Sequence, residues 1–248
     1  LILINFNIIT RFSSKRFLLA SKHFVKYLPK NLIYIPIQGV LKEPLISKEE
    51  LSILYDKYLK ELIAKEKFTF HFGGTILRET GSDIILATIK QIDKVITKKI
   101  DFIITGFGDM SRFRKLSYET KNVKLVIFEN ISQNKYKEIF KNIDCSICLK
   151  GNDTLFGSST FPYKVIEIVS NFKLLIMAKN EQVKDFLGNS KNYFLVNNDS
   201  NDLSNTIISI LNEDKKILTN KLINNYFEVN KKINKDVLKK KLKKIINE

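Results

Sequence analysis

The sequence predicts an α/β protein built on a doubly wound parallel sheet, and the pattern from residue 67 onward carries that prediction. Short apolar runs rich in β-branched residues alternate with longer stretches of helical periodicity. Strands and helices in that order are typical of parallel βαβ units, whose sheet is buried on both faces. Because the crossovers are right-handed, such units wind into a Rossmann-like domain with helices on both sides of the sheet.

Six strands are predicted in this block, each followed by a helical segment. The first strand precedes a glycine turn and an amphipathic stretch, and the third precedes a helix that begins at Ser132. The fourth leads through a loop into the helix YKVIEIVSN, and the sixth into a helix from about Asn201 to Leu211. The predicted strands are 67–72, 101–108, 123–128, 144–149, 173–178 and 193–196.

The flanking segments differ in composition from the sheet block. The first 40 residues carry one predicted helix, FLLASKHFVKYL, and one predicted strand, NLIYIPI. A charged, helix-prone linker follows, and the chain ends in a Lys- and Asn-rich segment. Its last apolar residues share one helical face, which predicts either a helix packed on its own protein or a helix on a membrane surface. They are Val237, Leu238, Leu242, Ile245 and Ile246.

The composition restricts the partners that we expect. The net charge is +16, yet only five of the 42 basic residues are arginine, which is the residue preferred for reading phosphates and bases. We therefore expect no nucleic-acid partner, and a weak attraction to an anionic membrane surface. No apolar run reaches the roughly 18 to 20 residues that span a bilayer. The opening LILINFNII lacks the basic segment and cleavage site of a signal peptide.

The cysteines and histidines are interpreted as structural. Cys145 and Cys148 have CxxC spacing but lie in a predicted buried strand, where they point to opposite faces. His71 ends the first strand beside the glycines, and we expect it to be a hydrogen-bonded histidine at a strand end. Nothing in the sequence has the spacing of a metal-ligand cluster, so we expect neither a metal nor a cofactor.

Three loops follow the carboxyl ends of predicted strands, where parallel sheets bind ligands. Gly73 and Gly74 in the first loop allow close approach of a ligand to the backbone, and the second loop reads GFGD. The third loop leads to Pro162, which suits the first turn of a helix. Lys164 and Glu167 then share one helical face, which fits a diphosphate and vicinal sugar hydroxyls. The alternative for these two residues is an ordinary surface ion pair.

Taken in order, these motifs resemble the glycosyltransferases of family 4, which have the GT-B fold, and in particular bacterial polysaccharide enzymes. The resemblance covers roughly residues 67–211 and rests on FGGTILRETGSDIILATI, ITGFGD, VKLVIFENIS…YKEIF…IDCSICL and SSTFPYKVIEIVSNFKLLIM. It implies that residues 1–40 are the remnant of an acceptor domain and 41–66 the interdomain linker. Residues 67–212 would bind the nucleotide sugar, and the helices of 213–248 would leave the Rossmann core.

The resemblance also implies roles for individual residues. Lys164 would contact the donor diphosphate, with Gly74 beneath it and with Arg78 and Lys150 as further candidates on the phosphate side. Glu167 would hold the ribose hydroxyls. The turn at Phe128, Glu129 and Asn130 would frame the base. The nucleotide-diphosphate sugar is then a substrate, and no catalytic residue is assigned.

Several positions depart from the family pattern. Ser159 stands where relatives have a second carboxylate, and Thr75 and Thr80 stand where they often have Arg and Lys. The resemblance implies a cytoplasmic retaining enzyme, peripheral on the inner face of the membrane, that transfers sugar to a glycan or lipid-linked acceptor. The departures keep open a non-catalytic nucleotide- or partner-binding domain, such as a pseudo-enzyme or half of a split enzyme.

Overall fold

The computed structural model describes residues 16–19, 33–36, 46–151, 161–188 and 190–247. Two short strands, β1 (Arg16–Leu19) and β2 (Ile33–Pro36), pair in parallel. The predicted strand NLIYIPI is therefore confirmed, whereas the helix predicted from Phe17 is wrong at its start. An apolar run as short as RFLL fits either state, and here pairing with β2 selects the strand.

Helix α1 (Lys48–Ala64) lies within the predicted linker. The Ser47 side chain accepts a hydrogen bond from the Glu50 backbone at 3.2 Å, and the Glu50 carboxylate accepts one from the Ser47 backbone at 2.8 Å. This reciprocal pair is a capping box, which fixes the first residue of the helix.

Six strands then form one parallel sheet: β3 (Thr69–Ile76), β4 (Ile100–Gly108), β5 (Val123–Glu129), β6 (Cys145–Cys148), β7 (Leu174–Ala178) and β8 (Phe194–Val196). Their order across the sheet is β5-β4-β3-β6-β7-β8, with every pair parallel. The predicted α/β fold is confirmed. The chain reverses its direction of strand addition between β3 and β6, which is the switch point of a doubly wound sheet.

Eight further α-helices follow in the described chain, and those between Ser82 and Asn212 cover both faces of the sheet. They are α2 (Ser82–Val95), α3 (Ser111–Glu119), α4 (Gln133–Lys141), α5 (Tyr163–Ser170), α6 (Glu181–Leu187), α7 (Ser200–Asn212), α8 (Lys215–Ile233) and α9 (Lys235–Asn247). One apolar cluster includes α2, α3 and α7, and a second includes α4, α5 and α6. Cys145 and Cys148 are both buried and free, which confirms their structural interpretation.

The expectation that the chain leaves the core after about residue 213 is wrong for α8. This helix packs against α1 and α5, and it buries Leu218, Tyr226 and Val229. Its apolar face was hidden in the sequence by the many Lys and Asn residues around it. In the part of the chain that the structure describes, no helix combines the length and the apolar character needed to cross a membrane.

Candidate functional site

The switch point places two loops side by side at the carboxyl edge of the sheet. The expectation that Gly73 and Gly74 lie in a loop is wrong, because β3 continues through both glycines to Ile76. The neighbouring β6 ends at Cys148, two residues before Lys150. α5 begins on this same edge, because it connects the carboxyl end of β6 to the start of β7. A crevice at this point is where doubly wound sheets bind their ligands.

The glycines at the ends of β3 and β4 allow the two strands to approach closely. Gly106 has φ +149°, and a Cβ placed on it would lie 1.8 Å from the Gly74 carbonyl oxygen. Gly74 itself has φ +120°, and the nearest atom to a Cβ placed there is the Lys164 ammonium at 3.7 Å. The space above Gly74 is therefore bounded by a cation rather than by backbone, which suits an anionic ligand.

Lys164 lies in the first turn of α5 and reaches across the switch point to β3. Its ammonium donates a hydrogen bond to the Gly73 carbonyl, and the side chain is partly buried. Burial lowers the pKa of Lys164, and the charge of Glu167 opposes that shift. A partly desolvated ammonium interacts more strongly with a phosphate than a fully hydrated ammonium does.

Glu167 lies one turn further along α5, and its carboxylate has a partner that sequence reasoning missed. The Tyr136 hydroxyl of α4 donates to Glu167 Oε2 at 3.1 Å. Burial, followed by the Glu167 charge, raises the pKa of Tyr136, so this hydroxyl stays protonated as a donor. Tyr136 also stacks on Phe140, with ring centroids 5.3 Å apart. The tyrosine therefore fixes the direction in which the carboxylate points.

His71 lies on β3 next to Gly73, on the same face of the sheet, and is fully buried. Its Nδ1 lies 2.8 Å from Ser146 Oγ on β6, and its Nε2 lies 2.8 Å from Thr105 Oγ1 on β4. Burial, followed by the charge of Lys164, lowers the pKa of His71 well below its usual value, so the ring is neutral. The interpretation of His71 as a hydrogen-bonded histidine is confirmed, and its bonds join three strands. Its predicted position at a strand end is wrong, because β3 continues to Ile76.

The turn expected to frame a base follows β5, next to the glycines at the carboxyl end of β4. Phe128 and Glu129 end β5, and the Asn130 backbone donates to the Gly106 carbonyl at 2.9 Å. Asn130 has φ +51°, which is unusual for a residue other than glycine. The Glu129 carboxylate is paired with Arg114 of α3. At this turn, a base would therefore be contacted by backbone groups rather than by the Glu129 carboxylate.

Arg78, a further candidate on the phosphate side, lies on the short 3-10 turn Arg78–Thr80 that follows β3. Its side chain is 87% exposed and lies 3.3 Å from Asp83. Lys150 lies two residues after β6, at the same edge of the sheet as Lys164, and is partly buried. Its carbonyl accepts a hydrogen bond from Asn180 at 3.2 Å.

Two of the three positions that depart from the family pattern, Thr75 and Thr80, are bonded to each other. The Thr80 hydroxyl donates to the Thr75 carbonyl at 2.7 Å, so these residues close the first loop on itself. Ser159 lies outside the described residues. Among the described residues, no group of three or more His, Cys, Asp or Glu side chains is arranged to hold a metal ion.

Comparison with solved structures finds the same fold in glycosyltransferases. HepE from Anabaena, in a structure with UDP and glucose, is 15% identical with a TM-score of 0.67 over 98% of this chain and 66% of that one. TarM is 12% identical with a TM-score of 0.66 over 97% and 45%. Sucrose-phosphate synthase from Thermosynechococcus elongatus is 15% identical with a TM-score of 0.65 over 99% and 60%. This chain thus spans between about half and two thirds of these proteins.

The sequence itself matches a family model over most of its length. A search against curated proteins finds no match. The model for glycosyl transferases group 1, in contrast, matches residues 57–229, which include the whole six-stranded sheet and the helices around Lys164 and Glu167. The chain therefore belongs to the glycosyl transferases group 1 family and has the Rossmann-like fold of the GT-B enzymes.

Proposed function

We propose that this chain is the donor-binding half of a retaining glycosyltransferase, which moves a sugar from a nucleotide diphosphate to a glycan or lipid-linked acceptor in bacterial surface polysaccharide synthesis. One observation carries the proposal: a partly buried ammonium, Lys164, bounds the open space above Gly74 at the switch point of the sheet. An anion at that point would replace the Gly73 carbonyl as the hydrogen-bond acceptor of Lys164. The amino end of α5 adds its dipole to the same attraction.

In this proposal, Lys164 stabilises the diphosphate as it leaves the donor sugar. Negative charge develops on the leaving oxygen during transfer, and a fixed, poorly hydrated cation lowers the free energy of that state more than that of the ground state. The hydrogen bond to Gly73 holds the ammonium in place before the donor arrives. No reorganisation of water around Lys164 is then needed at the moment of reaction.

Glu167 and Tyr136 would bind the nucleoside part of the donor. A carboxylate accepts hydrogen bonds from both hydroxyls of a ribose, and Tyr136 already occupies one side of Oε2 at 3.1 Å. The base would lie against the turn of Phe128, Glu129 and Asn130, whose backbone is fixed by the bond from Asn130 to Gly106. UDP is the first nucleotide to test, since HepE has been observed with UDP-glucose.

The cellular location, the acceptor and the association with a membrane are also proposals. We place the protein in the cytoplasm, peripheral on the inner face of the membrane, since nucleotide sugars and anionic lipids meet there. A second candidate function, a non-catalytic nucleotide-binding domain, is favoured by the loop in which Thr75 and Thr80 bond to each other where relatives often have basic residues. That candidate predicts nucleotide binding without transfer in the presence of an acceptor.

A panel of nucleotide sugars tests the proposal by thermal unfolding. A donor present at about 100 times its Kd adds roughly 2.7 kcal/mol to the free energy of unfolding. For a chain of this size that corresponds to a rise in Tm of about 5–10 °C. We expect UDP-glucose or another nucleotide-diphosphate sugar to produce such a rise, and the free sugar to produce none. If no nucleotide sugar at millimolar concentration raises the Tm, the donor-site proposal is wrong.

A further inference from the structure

Phe107 exposes an aromatic ring at the carboxyl edge of the sheet. It is the penultimate residue of β4 and is 56% exposed. The other phenylalanines of β3 and β4 are at most 3% exposed: Phe70, Phe72 and Phe102. Because parallel sheets bind their ligands at this edge, the position of Phe107 makes its ring a candidate ligand contact.

Phe107 lies beside the turn that is proposed to frame the base. The Asn130 backbone donates to the Gly106 carbonyl at 2.9 Å, and that carbonyl belongs to the peptide group between Gly106 and Phe107. The standard dimensions of a peptide group then place the Asn130 nitrogen within about 6 Å of the Phe107 Cα. A base held at this turn would therefore lie within reach of the phenylalanine ring.

The phosphate end of the proposed donor site lies on the other side of Phe107. Phe107 is the register partner of Thr75 on β3, and the residue before Thr75 is Gly74, which borders the Lys164 ammonium. The spacing of paired strands and of successive residues places the Phe107 Cα within about 9 Å of the Gly74 Cα. The ribose and phosphates of a nucleotide span a separation of this size.

Phe107 also lies on the face of the sheet that carries the proposed ribose contact. Residues two apart on a strand share a face, so Phe107 shares its face with Thr105. Thr105 Oγ1 lies 2.8 Å from His71 Nε2, and the His71 ring centroid lies 6.1 Å from that of Tyr136. The Tyr136 hydroxyl in turn bonds Glu167. The exposed ring and the ribose-binding carboxylate are therefore on the same face of the sheet.

From these positions we propose that Phe107 stacks on the base of the nucleotide donor. The inference rests on the proposed function, since it requires the donor site at Lys164. Every base has a π face, so an aromatic ring adds affinity for a nucleoside without choosing among bases. The backbone groups at the turn of residues 128–130 would contact the edge of the base, where hydrogen bonds distinguish one base from another.

Calorimetry with Phe107→Ala and Phe107→Tyr tests the stacking contact. The probes are UDP, uridine and inorganic pyrophosphate, which has no base. Phe107→Ala should bind UDP and uridine about 5- to 30-fold more weakly, by the same factor for both ligands, because it removes the stacking surface. Its affinity for pyrophosphate should stay within about twofold, and Phe107→Tyr, which keeps the ring, should stay within about threefold for all three probes.

Tyr118→Ala is the matched control, since Tyr118 is 90% exposed. It lies near the end of α3, which runs from the carboxyl end of β4 to the amino end of β5, and so it is at the opposite edge of the sheet. This variant should bind all three probes as the natural protein does. The Tm of each variant verifies that it is folded.

Tryptophan fluorescence reports the contact independently of affinity. The sequence contains no tryptophan, so Phe107→Trp introduces a single one at the proposed stacking position. Saturating UDP should quench its emission, because a base stacked on an indole ring alters the excited state. Pyrophosphate should leave the emission of Phe107→Trp unchanged, and UDP should leave that of Tyr118→Trp unchanged.

The failure of this inference can be distinguished from the failure of the proposed function. UDP binding that Lys164→Ala weakens but Phe107→Ala does not, without quenching in Phe107→Trp, would overturn the stacking contact and leave the donor site intact. Equal weakening of UDP and pyrophosphate binding by Phe107→Ala would also overturn it, because the effect would not depend on the base. If the natural protein binds none of the three probes, both proposals are wrong.

Discussion

Replacing Tyr136 with phenylalanine removes the hydroxyl that orients Glu167 and leaves the rest of the aromatic packing intact. The ring lies 5.3 Å from Phe140 and 6.1 Å from His71, and neither contact involves the hydroxyl. The one bond lost is that to Glu167 Oε2 at 3.1 Å. The substitution therefore tests the positioning of the carboxylate separately from its presence.

The expected effect on binding follows from the kind of bond. A hydrogen bond to a charged group contributes about 1.5–3 kcal/mol, but water replaces part of it here because Glu167 is partly exposed. We expect a loss of about 0.7–1.4 kcal/mol, which is a 3- to 10-fold rise in the Kd. The loss should be the same for uridine and for UDP, because both contain the ribose that we propose Glu167 contacts.

Calorimetry with both ligands measures this effect, with Tyr118→Phe as the control, since Tyr118 is 90% exposed. Combining Tyr136→Phe with Glu167→Gln should give less than the sum of the two single losses, because the tyrosine acts through the carboxylate. Losses that add fully would refute the positioning role. So would a Tyr136→Phe variant that binds uridine normally and UDP weakly.

Three further predictions concern the sheet and its buried polar side chains. The His71 ring stays neutral in the folded protein, whereas it becomes protonated in the unfolded chain below about pH 6.5. At lower pH, the free energy of unfolding should therefore decrease by up to about 1.4 kcal/mol per pH unit. Urea titrations should show that His71→Gln removes this dependence on pH. Lys173 is buried, and burial is the main reason that its pKa is lowered to about 8. Its contribution to the free energy of unfolding should therefore increase as the pH rises from about 8 to 10.5. A Lys173→Met variant whose free energy of unfolding depends on pH as in the natural protein would contradict this. Gly106→Ala should lower the Tm and eliminate UDP binding, since its Cβ would overlap the Gly74 carbonyl; normal UDP binding in a folded variant would show that this close approach is dispensable.

The sheet could be predicted from the sequence because each of its strands is an apolar run followed by a turn and a helix. All six predicted strands overlap observed strands, as at Thr69–Ile76 and Leu174–Ala178. The short segment Arg16–Leu19 was predicted wrongly, because four residues are too few to show the period that separates a strand from a helix. The burial of α8 was missed for a different reason: its partners α1 and α5 are distant in sequence.

The candidate site could be predicted only in part. Lys164 and Glu167 share a helix turn, so their spacing was visible in the sequence. Tyr136 lies on a different helix, and its bond to Glu167 spans 31 positions of sequence. Local spacing carries no information about such a contact.

The central claim, that Lys164 binds the diphosphate of a nucleotide, is tested most directly by measuring UDP and uridine affinities of Lys164→Ala by calorimetry. Because a charge-assisted bond contributes about 1.5–3 kcal/mol, the variant should bind UDP about 10- to 150-fold more weakly than the natural protein. Its affinity for uridine should change much less, since uridine has no phosphate for the ammonium to contact. Equal losses for both ligands, or no loss for either, would contradict the claim.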